Sequence, residues 1–172
     1  MSANKNIYLV DANTFITPFK TYYPFDLAPS FWTFFGNNIM NGTIAVLSKI
    51  YDEVAKGTDD LAEWIQKLDL KVIDHRTPDI ISKYQDVLMH IQTSVNLYTG
   101  KALAEWSDNN RADAWLVAAS MANNYKIVTF ERSNNSLGTS LTGHPKIPDV
   151  AANFGVKCVS LYDMMRDLEF SF

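Results

Sequence analysis

The sequence predicts an α/β protein, a three-layer sandwich around a central, mostly parallel sheet, and three observations lead there. Short β-branched runs alternate with longer helical patterns, the order that produces parallel pairing. Of the 172 residues, 47% are hydrophobic and 20% charged, the balance of a packed core rather than of a disordered chain. No stretch is rich enough in Gly, Pro or Ser to serve as a linker, and no internal repeat is present, so residues 1–172 are expected to form a single domain.

The first strand is expected at Ile7–Val10, followed by others at Ile44–Leu47, Lys71–Ile73, Lys126–Thr129 and Val156–Val159. Helices are expected at Pro29–Asn41, Lys49–Lys56, Asp59–Leu68, Pro78–Tyr98, Arg111–Asn124, Pro148–Phe154 and Leu161–Leu168. Gly57 reads as the C-cap of the second of these. The lone Cys158 excludes an internal disulfide, and the apolar run before Asp11 is too short for a signal peptide or membrane span. A soluble, cytoplasmic protein with no membrane association is the expectation. The formal net charge of −4 argues against a simple phosphate-binding surface, so any nucleic-acid reading must explain it.

In an open parallel sheet, ligands bind beyond the carboxyl ends of the strands, near the point where strand order reverses. Asp11 follows the first strand and Glu131 the strand beginning at Lys126, while Asp113 opens the Ala-rich helix that feeds that later strand. Each acid also has a plainer reading. Asp11 would serve as a turn or cap residue, Asp113 as a first-turn carboxylate favoured by the helix dipole, and Glu131 as a loop charge. Glu53 would be a solvated helical glutamate, although it lies beside the buried stripe formed by Ile50 and Val54. These plain readings do not predict that all four acids fall at one sheet edge.

The segments Val-Asp-Ala-Asn-Thr-Phe-Ile at 10–16, Tyr-Asp-Glu-Val-Ala-Lys-Gly at 51–57, Ala-Asp-Ala-Trp-Leu-Val-Ala at 112–118 and Val-Thr-Phe-Glu at 128–131 resemble, in order, the acidic motifs of the PIN-domain superfamily. Lys-Ile-Pro-Asp-Val-Ala at 146–151 is similar to an uncharacterised bacterial branch of it. The resemblance implies a PIN-like fold and a ribonuclease that hydrolyses RNA phosphodiesters with Mg²⁺ or Mn²⁺, many members being toxins paired with an antitoxin protein and many forming homodimers. Carried over by motif, Asp11, Glu53 and Asp113 fill the first three acidic positions and Glu131 the fourth. Many members place an aspartate at that fourth position, and Asp149 is an alternative to Glu131.

Phosphodiester hydrolysis adds charge to a group that already repels nucleophiles, so positive charge and an activated water are needed. Hard divalent cations on oxygen ligands supply both. His75, His90 and His144 show no zinc-ligand spacing, and one cysteine cannot complete a thiolate cluster. Two divalent ions would balance four carboxylates, which answers the charge objection. Arg111, Arg132 and Lys146 lie near the acids in sequence and are candidates for phosphate contacts, with solvated surface charge as the alternative. Residues 15–35 hold nine of the chain's 22 aromatic residues. Among them Phe19, Tyr22, Tyr23 and Phe25 are expected in a loop able to stack bases or dock a partner. Two other functions compete: a PIN-like interaction module without catalysis, and a haloacid-dehalogenase-type phosphatase with Asp11 as nucleophile. The second lacks a late acidic pair for Mg²⁺.

Overall fold

The computed structural model describes residues 6–134 and 137–172. Its elements alternate as the sequence predicts. Strands β1 (Tyr8–Val10), β2 (Ile44–Ala45), β3 (Lys126–Val128) and β4 (Cys158–Val159) form a parallel sheet in the order β2-β1-β3-β4. Tyr8 lies opposite Ile44 on one side and Lys126 on the other, and Val10 lies opposite Val128. Residues 8–10 are buried on both faces, which is why β1 reads as a continuous apolar run and not as an alternation.

The chain divides into two compact units, each discontinuous in sequence. The described residues of the first are 6–74, 126–130 and 159–172. It holds β1 to β3 with helices α1 (Asn13–Thr17), α2 (Pro29–Met40), α3 (Ser48–Ala55), α4 (Asp60–Lys67) and α9 (Leu161–Asp167). Its core joins the sheet to an aromatic cluster in which Phe15 and Phe35 meet edge to face at 5.2 Å and Trp32 meets Trp64 at 4.9 Å. Local signals start these helices. Asp59 accepts a hydrogen bond from the Ala62 amide at the head of α4, and Ser160 and Asp163 form a reciprocal capping box on α9.

The described residues of the second unit are 75–125, 131–134 and 137–158, with helices α5 (Pro78–Thr93), α6 (Gly100–Trp106), α7 (Asp113–Asn123) and α8 (Ile147–Asn153). α5 packs along α7, and its buried Ile80, Val87 and Ile91 recur at helical spacing. The left-handed Asn124 (φ 57°) ends α7 immediately before β3.

Several boundaries differ from the sequence expectation for identifiable reasons. The expected strand at 71–73 reduces to one parallel bridge, Leu47 to Ile73, because the chain beyond β2 turns into α3 at Ser48 and leaves no further partner. β4 is shorter than expected because the Val156 amide is spent on the Ala151 carbonyl at the end of α8. α5 stops at Thr93, not at Tyr98; residues 97–99 are drawn into a bridge with Thr142, and the unexpected α6 begins straight after. Gly57 is not left-handed and does not cap α3 in the expected way. Of the aromatic segment expected as a loop, Phe19 and Tyr22 are helical, in a π-helical turn at Pro18–Tyr22 that continues α1, whereas Tyr23 and Phe25 lie in the non-helical stretch before α2. Phe19 packs on Phe25, Phe25 on Trp32 and Tyr23 on Phe31, so of the four rings only Tyr22 stands well exposed, at 50%.

Candidate functional site

Asp11 follows β1, the strand from which the sheet extends in both directions, so it occupies the reversal point where parallel sheets place ligands. It is 7% exposed. Its amide donates to the Val128 carbonyl at 3.0 Å, which continues the β1–β3 ladder by one step. Two threonines complete the setting. Thr129 Oγ1 donates to Asp11 Oδ2 at 3.2 Å, and Thr14 Oγ1 donates to the Val128 carbonyl at 3.1 Å. A buried carboxylate without such partners would cost several kcal/mol, on the order of the penalty for any uncompensated buried ion. The threonine beside the expected fourth acid therefore has a definite task, which is to orient Asp11.

Glu53 belongs to the same unit, on α3, and is exposed, as is neighbouring Asp52. Ile50 and Val54 are buried as the helical spacing requires.

Within the second unit, Asp113 opens α7 and is bound by Arg111, whose Nε and Nη2 both donate to Oδ2 at 3.1 and 2.9 Å. Arg111 Nη1 also pairs with Glu105 Oε1 at 2.9 Å, and the other Glu105 oxygen meets His144 Nδ1. Burial pushes the Asp113 carboxyl above the usual range; Arg111 opposes that rise, and the nearby charges of Glu131 and Glu105 add to it. Sequence reasoning missed Glu105 because residues 97–110 carry no strong helical period. The one available signal was Gly100–Trp106 itself, a short stretch rich in helix formers with apolar Ala102 and Trp106 four apart.

Glu131 and Asp149 share one structural task. Glu131 Oε2 accepts from the Ile147 amide at 2.7 Å while its other oxygen pairs with Lys146 Nζ at 3.3 Å. Asp149 accepts from the Asn134 amide at 3.0 and 3.2 Å. The loop at 131–134 and the head of α8 are thus clasped reciprocally, each by a carboxylate from the other. Glu131 is half-buried and Asp149 buried. Cys158 lies in the same unit, and burial pushes its thiol up to about 12, so it stays protonated at neutral pH.

The donor set suits Mg²⁺ or Mn²⁺ in its chemistry, since every candidate ligand is a carboxylate oxygen. Among the described residues, no three His, Cys, Asp or Glu side chains are gathered into a group ready to chelate an ion. Arg111 and Lys146, expected as phosphate contacts, are engaged with Asp113 and Glu131. Arg132 is exposed.

No curated protein matches the chain in sequence. In structure it is similar to a chain of VapBC2 from Rickettsia felis, solved bound to a DNA fragment from their promoter, with a TM-score of 0.50 and 17% identity, covering 90% of this chain and 98% of that one. At that identity the likeness is one of fold, and it agrees with the PIN-like α/β class the sequence predicts. No helix among the described residues is long and apolar enough to cross a membrane. The model of a domain of unknown function, DUF4411, matches residues 8–172, and the chain belongs to that family.

Proposed function

We propose that the protein is a metal-dependent ribonuclease that hydrolyses RNA phosphodiester bonds, with Asp11, Glu53, Asp113 and Glu131 as its metal-binding carboxylates. The observation that carries this reading is the setting of Asp11: a buried carboxylate at the reversal point of a parallel sheet, aimed by a threonine hydroxyl. A turn residue would need neither that burial nor that donor. The fold likeness and the ordered acidic motifs support the same reading.

A bound Mg²⁺ or Mn²⁺ would supply positive charge to the phosphate and a water acidic enough to attack at neutral pH. In this reading Asp11 is the fixed ligand, because Thr129 and the strand ladder leave its carboxylate little freedom. Asp113 is a ligand that must first release Arg111. Glu131 keeps one oxygen on the α8 backbone, so it contributes charge while remaining anchored. With the ion bound, Arg111 and Lys146 would be released from Asp113 and Glu131 and could meet flanking phosphate oxygens.

Incubating purified protein with single-stranded RNA tests this. Cleavage is expected with Mg²⁺ or Mn²⁺, should stop with EDTA, and should fall by at least about a hundredfold in Asp11→Asn, the scale of losing a principal electrostatic contributor. Undiminished cleavage in EDTA or by Asp11→Asn would overturn it. Release of phosphate from small esters with RNA left intact would favour the phosphatase.

A further inference from the structure

Tyr22 ends the π-helical turn that continues α1, and α1 itself begins at Asn13, just after Asp11. The chain that leaves the sheet at Asp11 then returns to the same edge, because the Tyr22 ring lies over that of Phe130, with 6.4 Å between centroids and 23° between planes. Phe130 directly follows Thr129, the donor to Asp11. All four residues belong to the first unit. A near-parallel pair of rings is thus joined, by a single peptide bond, to the threonine that aims the buried carboxylate.

The other rings of this segment are spent on the core. Tyr23 packs on Phe31 at 4.6 Å, and Phe19 on Phe25 at 5.4 Å. Tyr22 is half exposed, yet its backbone is held, since the Tyr23 amide closes the turn on the Pro18 carbonyl at 2.7 Å. A flat ring backed by a second ring and open to water is the surface on which an unpaired nucleobase stacks. Lys20, exposed on the same turn, brings a positive charge suited to a phosphate. That cation favours a polyanion over an apolar protein surface.

We propose that Tyr22, backed by Phe130, is a stacking platform for an unpaired base of single-stranded RNA, beside the phosphodiester that Asp11 serves. This rests on the ribonuclease reading above. The platform prefers single strands to duplex, in which the internal bases are already stacked on each other, and it discriminates little among bases, since each has a π face.

Binding of a short single-stranded RNA in Mg²⁺ to the full-length Asp11→Asn protein, which leaves the RNA whole, tests this. Adding Tyr22→Leu, which keeps apolar bulk and removes the ring, should weaken binding by about fivefold or more. Tyr22→Phe in its place should recover most of that loss, and the control Leu27→Ala, which removes a side chain 77% exposed and outside the stack, should change affinity by less than about twofold. The loss in Tyr22→Leu should be confined to single strands. A second readout needs no change at Tyr22: irradiating the complex with RNA carrying iodouridine should crosslink Tyr22. Unchanged single-strand affinity in Tyr22→Leu, an equal loss for duplex RNA, or crosslinks that fall only on residues other than Tyr22 and Phe130 would overturn the platform, while metal-dependent cleavage by the wild type would keep the ribonuclease reading standing. RNA bound by none of the proteins, wild type included, would overturn both.

Discussion

Two threonines, Thr129 and Thr14, tie the end of β1 to the end of β3, one through the Asp11 carboxylate and one through the Val128 carbonyl. Their hydroxyls are buried, so each loss is felt in stability. Thr129→Val should cost about 1–2 kcal/mol, the scale of a buried acceptor losing a donor, and lower the melting temperature by a few degrees. It should also weaken Mn²⁺ binding, though less than Asp11→Asn does. Calorimetry and metal titration on the same preparations check both, and a variant that binds Mn²⁺ as wild type does would show that the hydroxyl does not orient the carboxylate. Asp11 was legible in the sequence because a carboxylate directly after an apolar run is a local pattern. The rest of the network around Arg111 was not. Glu105 and His144 are separated by 39 residues, and only the folded second unit brings them together.

At the scale of elements, helices were more legible than strands. α2, α4 and α9 fall within about a residue of the expected limits because a proline or a polar cap marks each start. The expected strand at 71–73 fails for a reason no local pattern carries, since a strand needs a partner and the chain beyond β2 turns away into α3. The aromatic segment after α1 misled differently: its prolines suggested a loop, but Pro18 is tolerated at the first position of the π-helical turn. The clasp of α8 divides Glu131 from Asp149. Asp149→Ala should destabilise the protein by about 1–3 kcal/mol through the unpaired Asn134 amide while leaving Mn²⁺ affinity unchanged. Glu131→Gln keeps an acceptor for the Ile147 amide, so it should melt within a few degrees of wild type yet bind Mn²⁺ more weakly. The reverse pattern in melting and titration would make Asp149 the fourth acid.

For the whole molecule, stability and activity should follow different groups with pH. Burial lowers the pKa of His90, whose Nε2 is buried without a hydrogen-bond partner in the structure. The unfolded chain takes up a proton near pH 6.5 and the folded one only at lower pH, so the stability present above pH 6.5 is lost as pH falls through the folded-state value. His90→Leu should flatten that part of the melting-temperature profile between pH 7 and 5, and an unchanged slope would assign it elsewhere. The class of the fold follows from alternation alone, whereas the four acids are a proposal that rests on their order along the chain. What sequence could not give is their state, because Arg111 and Lys146, expected on phosphate, are spent on Asp113 and Glu131. On the proposed reading, bound divalent ions would offset the net charge of −4 at the site. Anomalous diffraction from crystals soaked in Mn²⁺ puts this to the most direct test. A peak bonded to the Asp11 carboxylate, at about the 2.0–2.2 Å of a small octahedral cation, is expected; crystals saturated with Mn²⁺ that show no peak at Asp11 would contradict the metal-dependent mechanism outright.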